Sequence, residues 1–214
     1  MSLNEFLREI EEKVRELDEA RNEAESLSRK IIRETKKSII STHQESFESS
    51  EASLREINRL LKSLREVVQK HPELISNNLV NTAFQETAEA YIYYNLVRWG
   101  RFVDPKSMDV SPSQYVLGLA DCVGELRRRV LDLIRAGRLK EAEESLKTME
   151  EILYELNLNS DLQVLVPGLR RKCDVARAII ESTRGDLALE VRRKSLEDGI
   201  KRLAELLERR RDDV

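Results

Sequence analysis

The chain has 214 residues, 36% of them charged and only 5% aromatic, with 7 Gly and 4 Pro. This balance favours long helices and excludes an all-β sandwich or barrel, whose sheets need many turns. Lys plus Arg number 37 against 40 Asp plus Glu, so the net charge of -3 supplies no global field for nucleic acid, and any such binding must use a local patch.

Leu3, Leu7, Ile10, Val14, Leu17, Arg21 and Ala24 follow an alternating four-three spacing, which predicts a helix with a narrow apolar seam. The period continues through Ile32, Thr35 and Ile39, so one long helix is expected from about residue 3 to 47, a length that suggests a bundle or an oligomer. Leu54, Ile57, Leu61, Leu64 and Val68 mark a second helix that stops at His71-Pro72, where the proline suits the first turn of a third, running to Trp99-Gly100. Ser111-Pro112-Ser113-Gln114 combines an N-cap, a proline at the first helical position and the Gln of a capping box, opening a fourth helix that ends near Ala136-Gly137. A fifth spans about 138 to 157, and a polar turn follows around Asn157 to Asp161. Pro167-Gly168 then opens a sixth, with Gly185 dividing it from a seventh that ends in Glu208-Arg209-Arg210-Arg211. The expectation is a single all-α domain, 1–214, of seven helices.

Cys122 and Cys173 lie far apart, with neither a zinc spacing nor a disulfide framework, and a reducing cytoplasm is the simplest compartment. No run of about 18 uncharged apolar residues and no basic-then-apolar leader occurs, so a soluble protein outside the membrane is expected.

The most informative feature is where charges are missing. From Leu74 to Val97 the only charged residues are Glu86 and Glu89, three apart and hence on one helical face. From Val110 to Leu126 the only ones are Asp121 and Glu125, four apart, flanked by Gly118 and Gly124, which permit close helix approach. Partly buried carboxylates must be protonated, paired with cations or bound to a metal. Oxygen-only ligands suit Mg²⁺ or Mn²⁺ rather than zinc, and such an ion could polarise a phosphodiester and activate water in place of a histidine base. The competing reading is structural, with buried salt bridges to Arg98, Arg101 or Arg127 to Arg129 that fix helix register. A di-iron bundle would want Glu-x-x-His, which neither His43 nor His71 provides, and no Gly-rich phosphate loop or nucleophile elbow is present. His43 suits packing or capping, Cys122 a small core position, and Tyr91, Tyr93, Tyr94 and Trp99 a core rather than base stacking.

Between Ser28 and Ser38 the chain carries Arg29, Lys30, Arg33, Lys36 and Lys37 against one acid, Glu34, whereas residues 4 to 25 are acidic overall. Arg29, Arg33, Lys36 and Lys37 recur at helical spacing and could track phosphates with little sequence preference, or form an ordinary solvated face.

Ser28-Arg29-Lys30 through Lys36-Lys37 to His43, Phe84-Gln85-Glu86-Thr87-Ala88-Glu89-Ala90, and Tyr115-Val116-Leu117-Gly118-Leu119-Ala120-Asp121 with Gly124-Glu125-Leu126 resemble the translin family, in order and approximate spacing along nearly the whole chain. Val191-Arg192-Arg193-Lys194-Ser195-Leu196 resembles its C-terminal helix. Within that family translin binds nucleic acid, and translin-associated factor X carries an acidic set for a metal-dependent endoribonuclease, the member this chain resembles more. The resemblance makes Glu86 and Glu89 the Glu-x-x-Glu pair and Asp121 the third acid, with Glu125 as an additional ligand for Mg²⁺ or Mn²⁺. It also implies a seven-helix protomer in a closed, roughly octameric barrel that admits RNA; the short connection around Asp104 to Ser111 and the lack of an evident basic tail, where this chain departs from factor X, point to a homo-oligomer. Two other functions stay open at this level: a non-catalytic scaffold for single-stranded RNA or DNA, in which the acids are structural, and an all-α nucleotide pyrophosphohydrolase, which would not need the basic stripe.

Overall fold

The computed structural model describes residues 2–212, with nothing to be said of the side chains of residues 210–212; the expected charged end at Arg210 and Arg211 therefore lies outside the described side chains. The chain forms two compact units, 1–122 and 123–214. Seven α-helices and no strand are found among the described residues, and no helix among them is long and apolar enough to cross a membrane.

In the first unit, α1 (Leu3–His43) opens on a capping box, Ser2 with Glu5, and packs on α2 (Phe47–Lys70) and α3 (Asn78–Trp99). Its packed side carries Ala20, Ala24, Ser28, Ile31, Thr35, Ser38, Ile39 and Thr42. These small and hydroxylated residues admit α2 closely: Ser50 Oγ lies 2.8 Å from both Ser38 Oγ and Thr42 Oγ1. The expected long first helix is thus present, four residues shorter than its predicted limit. It stops because Glu45 takes a left-handed φ of 56° in the turn to α2, a conformation that ends a helix.

Pro72 does not open the third helix directly. Pro72–Ser76 forms a 3-10 turn, and the helix proper begins where the Asn77 side chain accepts from the amides of Leu79 and Val80, a stronger start signal than the proline. Ten of the 22 residues of α3 are buried, among them Val80, Ala83, Phe84, Thr87, Ala88, Ile92 and Tyr93. A helix enclosed on nearly all sides has little room for charge, which is the physical origin of the charge-poor window. It ends at Gly100, whose left-handed φ of 61° no side-chain-bearing residue adopts easily.

α4 (Pro112–Arg135) starts as its sequence predicts: the Ser111 amide donates to Gln114 Oε1 at 2.8 Å, and the Gln114 amide donates to Ser111 Oγ at 3.3 Å. Gln114, 5% exposed, also donates through Nε2 to Asn81 Oδ1 of α3 at 2.9 Å. One residue therefore caps α4 and ties its first turn to α3.

In the second unit, α5 (Leu139–Leu158), a short α6 (Ser160–Leu165) and α7 (Leu169–Asp212) pack together. The expected polar turn around residues 157–161 is instead the junction of α5 and α6, and the expected division at Gly185 does not occur. α7 runs unbroken for 44 residues. A glycine costs a helix only about 1 kcal/mol, and side chains on both flanks hold this one: Ile180, Thr183 and Leu187 are buried, Arg184 bonds Glu150 of α5 at 2.6 Å, and Arg127 bonds Thr183 Oγ1 at 2.9 Å. Neither cysteine forms a disulfide, and both are buried.

Candidate active site

The two charge-poor windows become α3 and the first half of α4, and Gly118 lies at their crossing. A Cβ on Gly118 would stand 2.8 Å from Ala88 Cβ, 2.8 Å from the Glu89 amide nitrogen and 2.9 Å from the Gln85 carbonyl oxygen. Only glycine allows the two backbones this close.

That crossing positions the acids. Glu89 is buried, 8% exposed, on the turn of α3 that Gly118 faces. Glu86, one turn earlier, is half-buried, as is Asp121, one turn beyond Gly118 on α4. Asp121 Oδ2 accepts a hydrogen bond of 2.6 Å from Gln85 Nε2, so α3 itself fixes the orientation of the α4 carboxylate. Glu125, half-buried, follows one turn later on α4 and belongs to the second unit. Of the arginines considered as structural partners, Arg127 turns to Ile179 O, Thr183 and Asp186 of α7, and the Arg98 guanidinium lies over the rings of Phe47 and Trp99.

The acids are neighbours across one crossing and are not drawn into a ligand shell: among the described residues, no group of three or more His, Cys, Asp or Glu side chains could hold a metal ion. Their donor chemistry nevertheless fits Mg²⁺ or Mn²⁺, being oxygen-only and carboxylate-rich.

Sequence reasoning missed Gln85. Its signal was available, as the glutamine a full turn before Glu89 in the charge-poor window. It also placed Trp99 in the core, whereas that side chain is 54% exposed; Tyr93 and Tyr94 are buried as expected, at 0% and 6%. His43 has the packing role expected of it, with Nδ1 2.8 Å from the Tyr93 hydroxyl.

Arg29, Lys30, Arg33, Lys36 and Lys37 are all exposed along α1, opposite its packed side. Arg29 pairs with Glu25 at 3.2 Å and Lys37 with Glu34 at 2.6 Å, while Arg33 and Lys36 make no ion pair among the described residues. The stripe reaches α2, where a hydrogen bond from Arg59, reinforced by the charges of Arg59, Lys30 and Lys37, holds the Glu56 carboxyl below its ordinary value. Arg59 thus adjoins a patch that sequence spacing had confined to α1.

A model of the translin family matches residues 6–182. An uncharacterized protein of Methanocaldococcus jannaschii is 34% identical over 179 residues, which span 83% of this chain and 79% of that protein. Among solved structures, a complex of AfC3PO with duplex RNA is similar with a TM-score of 0.78 at 34% identity, covering 86% of this chain and 95% of that one. A second structure, of AfC3PO, gives a TM-score of 0.76 at 35% identity, covering 86% of this chain and 96% of that one. Apo-NeC3PO, at 24% identity, shares the fold with a TM-score of 0.77, covering 89% and 98%.

Proposed function

The chain belongs to the translin family, and from that premise we propose that it is a metal-dependent endoribonuclease, cleaving RNA phosphodiesters at Glu86, Glu89 and Asp121 inside an assembly of identical copies. The observation that carries this reading is the α3–α4 crossing, which keeps Glu89 buried and orients Asp121 through Gln85. Mg²⁺ or Mn²⁺ would be held by Glu86, Glu89 and Asp121. The chemistry such an ion supplies when bound is polarisation of the phosphodiester and a lowered pKa of water.

The chain's own residues do the rest. Glu89 is buried, and a carboxylate in such surroundings calls for compensation, which a cation brought to it would supply. The Gln85 amide donates to one oxygen of Asp121 and keeps the carboxylate from rotating, the role that outer hydrogen bonds play at metal sites. Arg33 and Lys36, exposed and without ion pairs among the described residues, are available to RNA phosphates, and contacts of that kind carry little sequence preference. The similar structure of AfC3PO in complex with duplex RNA supports RNA as the substrate class.

Assembly is supported by two uncovered seams. Leu3, Leu7, Ile10 and Val14 of α1 are 54–74% exposed, and Leu196, Ile200, Leu203 and Leu207 of α7 are 56–66% exposed. Apolar stripes at this spacing ask for a helical partner; the family resemblance implies a closed barrel of about eight subunits, and identical copies of this chain would fill it.

The deciding experiment is cleavage of a labelled single-stranded RNA with Mg²⁺, with EDTA, and by Glu89→Gln and Glu86→Ala, with light scattering to follow assembly. The wild type with Mg²⁺ should cleave, and both variants should assemble and bind RNA without cutting it. Cleavage retained by Glu89→Gln refutes the assignment. The Gln85–Asp121 bond favours one second reading, a scaffold that binds RNA or single-stranded DNA with the acids serving structure; then Glu86→Ala lowers stability and no sample cleaves.

A further inference from the structure

The end of α3 carries an aromatic and cationic cluster that the nuclease reading does not use. Trp99, the chain's single tryptophan, is the last residue of α3, and Gly100 turns the chain away immediately after it. The indole is 54% exposed, yet it is held in place. The Arg98 guanidinium lies 4.8 Å from its ring centroid and 4.5 Å from that of Phe47. Phe47 in turn meets Tyr94 edge-on at 6.2 Å, and the Tyr94 hydroxyl donates to Glu51 at 2.5 Å. A large ring supported this way, with more than half its surface open, is a pre-organised stacking surface.

Its surroundings are cationic. Arg98, Arg101 and Lys106 are exposed in the segment 98–106, whose one acid, Asp104, caps the amide of Lys106. Phe102, 39% exposed, follows in the same stretch. Arg-Trp-Gly-Arg-Phe therefore interleaves aromatic faces with guanidinium groups, the chemistry that captures unpaired nucleobases and their phosphates. The location is also suitable. Trp99 is eleven residues beyond Ala88, roughly 16 Å along the helix and within about 20° of the same direction around it. It shares the side of α3 that faces Gly118 and Asp121.

We propose that Trp99, braced by Arg98 against Phe47, is a stacking site for an unpaired base of single-stranded RNA, which anchors the strand about three helical turns from the acids. The site rests on the reading of the chain as an RNA-binding protein. It makes single-stranded RNA, rather than uniform duplex, the form that occupies both the anchor and the acid cluster.

Because the chain has one tryptophan, its emission reports the site directly. The test titrates the full-length protein with a single-stranded RNA oligonucleotide, and separately with the matching blunt duplex. Tryptophan emission, anisotropy of labelled RNA and light scattering are followed for the wild type, Trp99→Ala and Trp99→Phe. Single strands should quench the emission with the same Kd that anisotropy gives. Trp99→Ala should weaken single-strand binding about tenfold, within the range for one stacked base. It should leave the salt dependence unchanged, since stacking releases no counterions, and Trp99→Phe should recover most of the affinity. RNA that binds with unaltered emission and equal affinity for Trp99→Ala overturns the stacking site and leaves RNA binding intact. Loss of affinity together with loss of assembly overturns it in favour of a second copy covering Trp99. If no RNA binds the wild type at all, the RNA-binding reading fails, and the stacking site with it.

Discussion

Gly118→Ala tests whether the α3–α4 crossing is as close as described. The added methyl carbon would meet Ala88 Cβ at 2.8 Å, the Glu89 nitrogen at 2.8 Å and the Gln85 oxygen at 2.9 Å. Carbon atoms pack comfortably at about 3.5–4.0 Å, so the helices must part by about an ångström. Two of the three neighbours are backbone atoms that no rotamer change can move. Overpacking of this kind costs about 1–3 kcal/mol, which for a chain of this length lowers Tm by roughly 3–10 °C. The same displacement would lengthen the 2.6 Å bond from Gln85 to Asp121 beyond hydrogen-bonding range, and a misplacement of about 1 Å can cost on the order of a hundredfold in rate. Gly124→Ala is the matched control, in the same helix with nothing within 4 Å of its added carbon; it should stabilise by about 0.5–1 kcal/mol through helix propensity. Calorimetry and the RNA cleavage assay read both effects. A Gly118→Ala protein as stable and as active as the wild type would refute the crossing.

Gln85→Leu keeps the side-chain volume and removes the donor to Asp121, and should reduce cleavage about 10–100-fold, with an increased Mg²⁺ requirement on titration; unchanged kinetics would deprive Gln85 of its role. Neutralising Arg33 and Lys36 together, as glutamines, should reduce the slope of log affinity against log salt for single-stranded RNA by about 1.4, or about 0.7 per lost phosphate contact, as measured by anisotropy over a salt series. Burial, with Glu51 beside it, pushes the Tyr94 hydroxyl from its ordinary 10.0 up to about 12, and burial does the same to Tyr91. Since both folded values lie above the unfolded one, their stabilisation is complete below pH 10 and is lost as pH rises through about 12. Thermal unfolding should therefore move to lower temperature over that interval, and less steeply in Tyr94→Phe.

Much of unit 1 was legible because its signals are local or compositional. The capping box at Ser111 is four residues of hydrogen-bond chemistry, and it forms as read. The scarcity of charge in α3 follows from enclosure, which leaves few positions where a charge can be solvated, so Glu86 and Glu89 stood out. What escaped depended on packing between distant segments. Gly185 resembles a helix end until Arg184 and Thr183 find partners on other helices. Trp99 has the composition of a core residue, and only the turn at Gly100 leaves it outside. Gln85 gains its meaning from Asp121, 36 positions away, and spacing within one helix cannot reveal that. The same limit applies to the acids: periodicity put each pair on a common face, while their relation across the crossing rests on Gly118.

The first fourteen residues of α1 leave the rest of unit 1 and run into solvent, with Leu3, Phe6, Leu7, Ile10 and Val14 uncovered. A lone copy therefore holds a helix that its own neighbours do not support, and such a helix end frays easily in water. If a second copy covers the seam, folding of this segment is completed only on association, and its ordering becomes a function of dilution. A newly made chain would then carry a sticky, half-formed arm until it meets another, so the abundance of the protein would regulate how much of it is fully built.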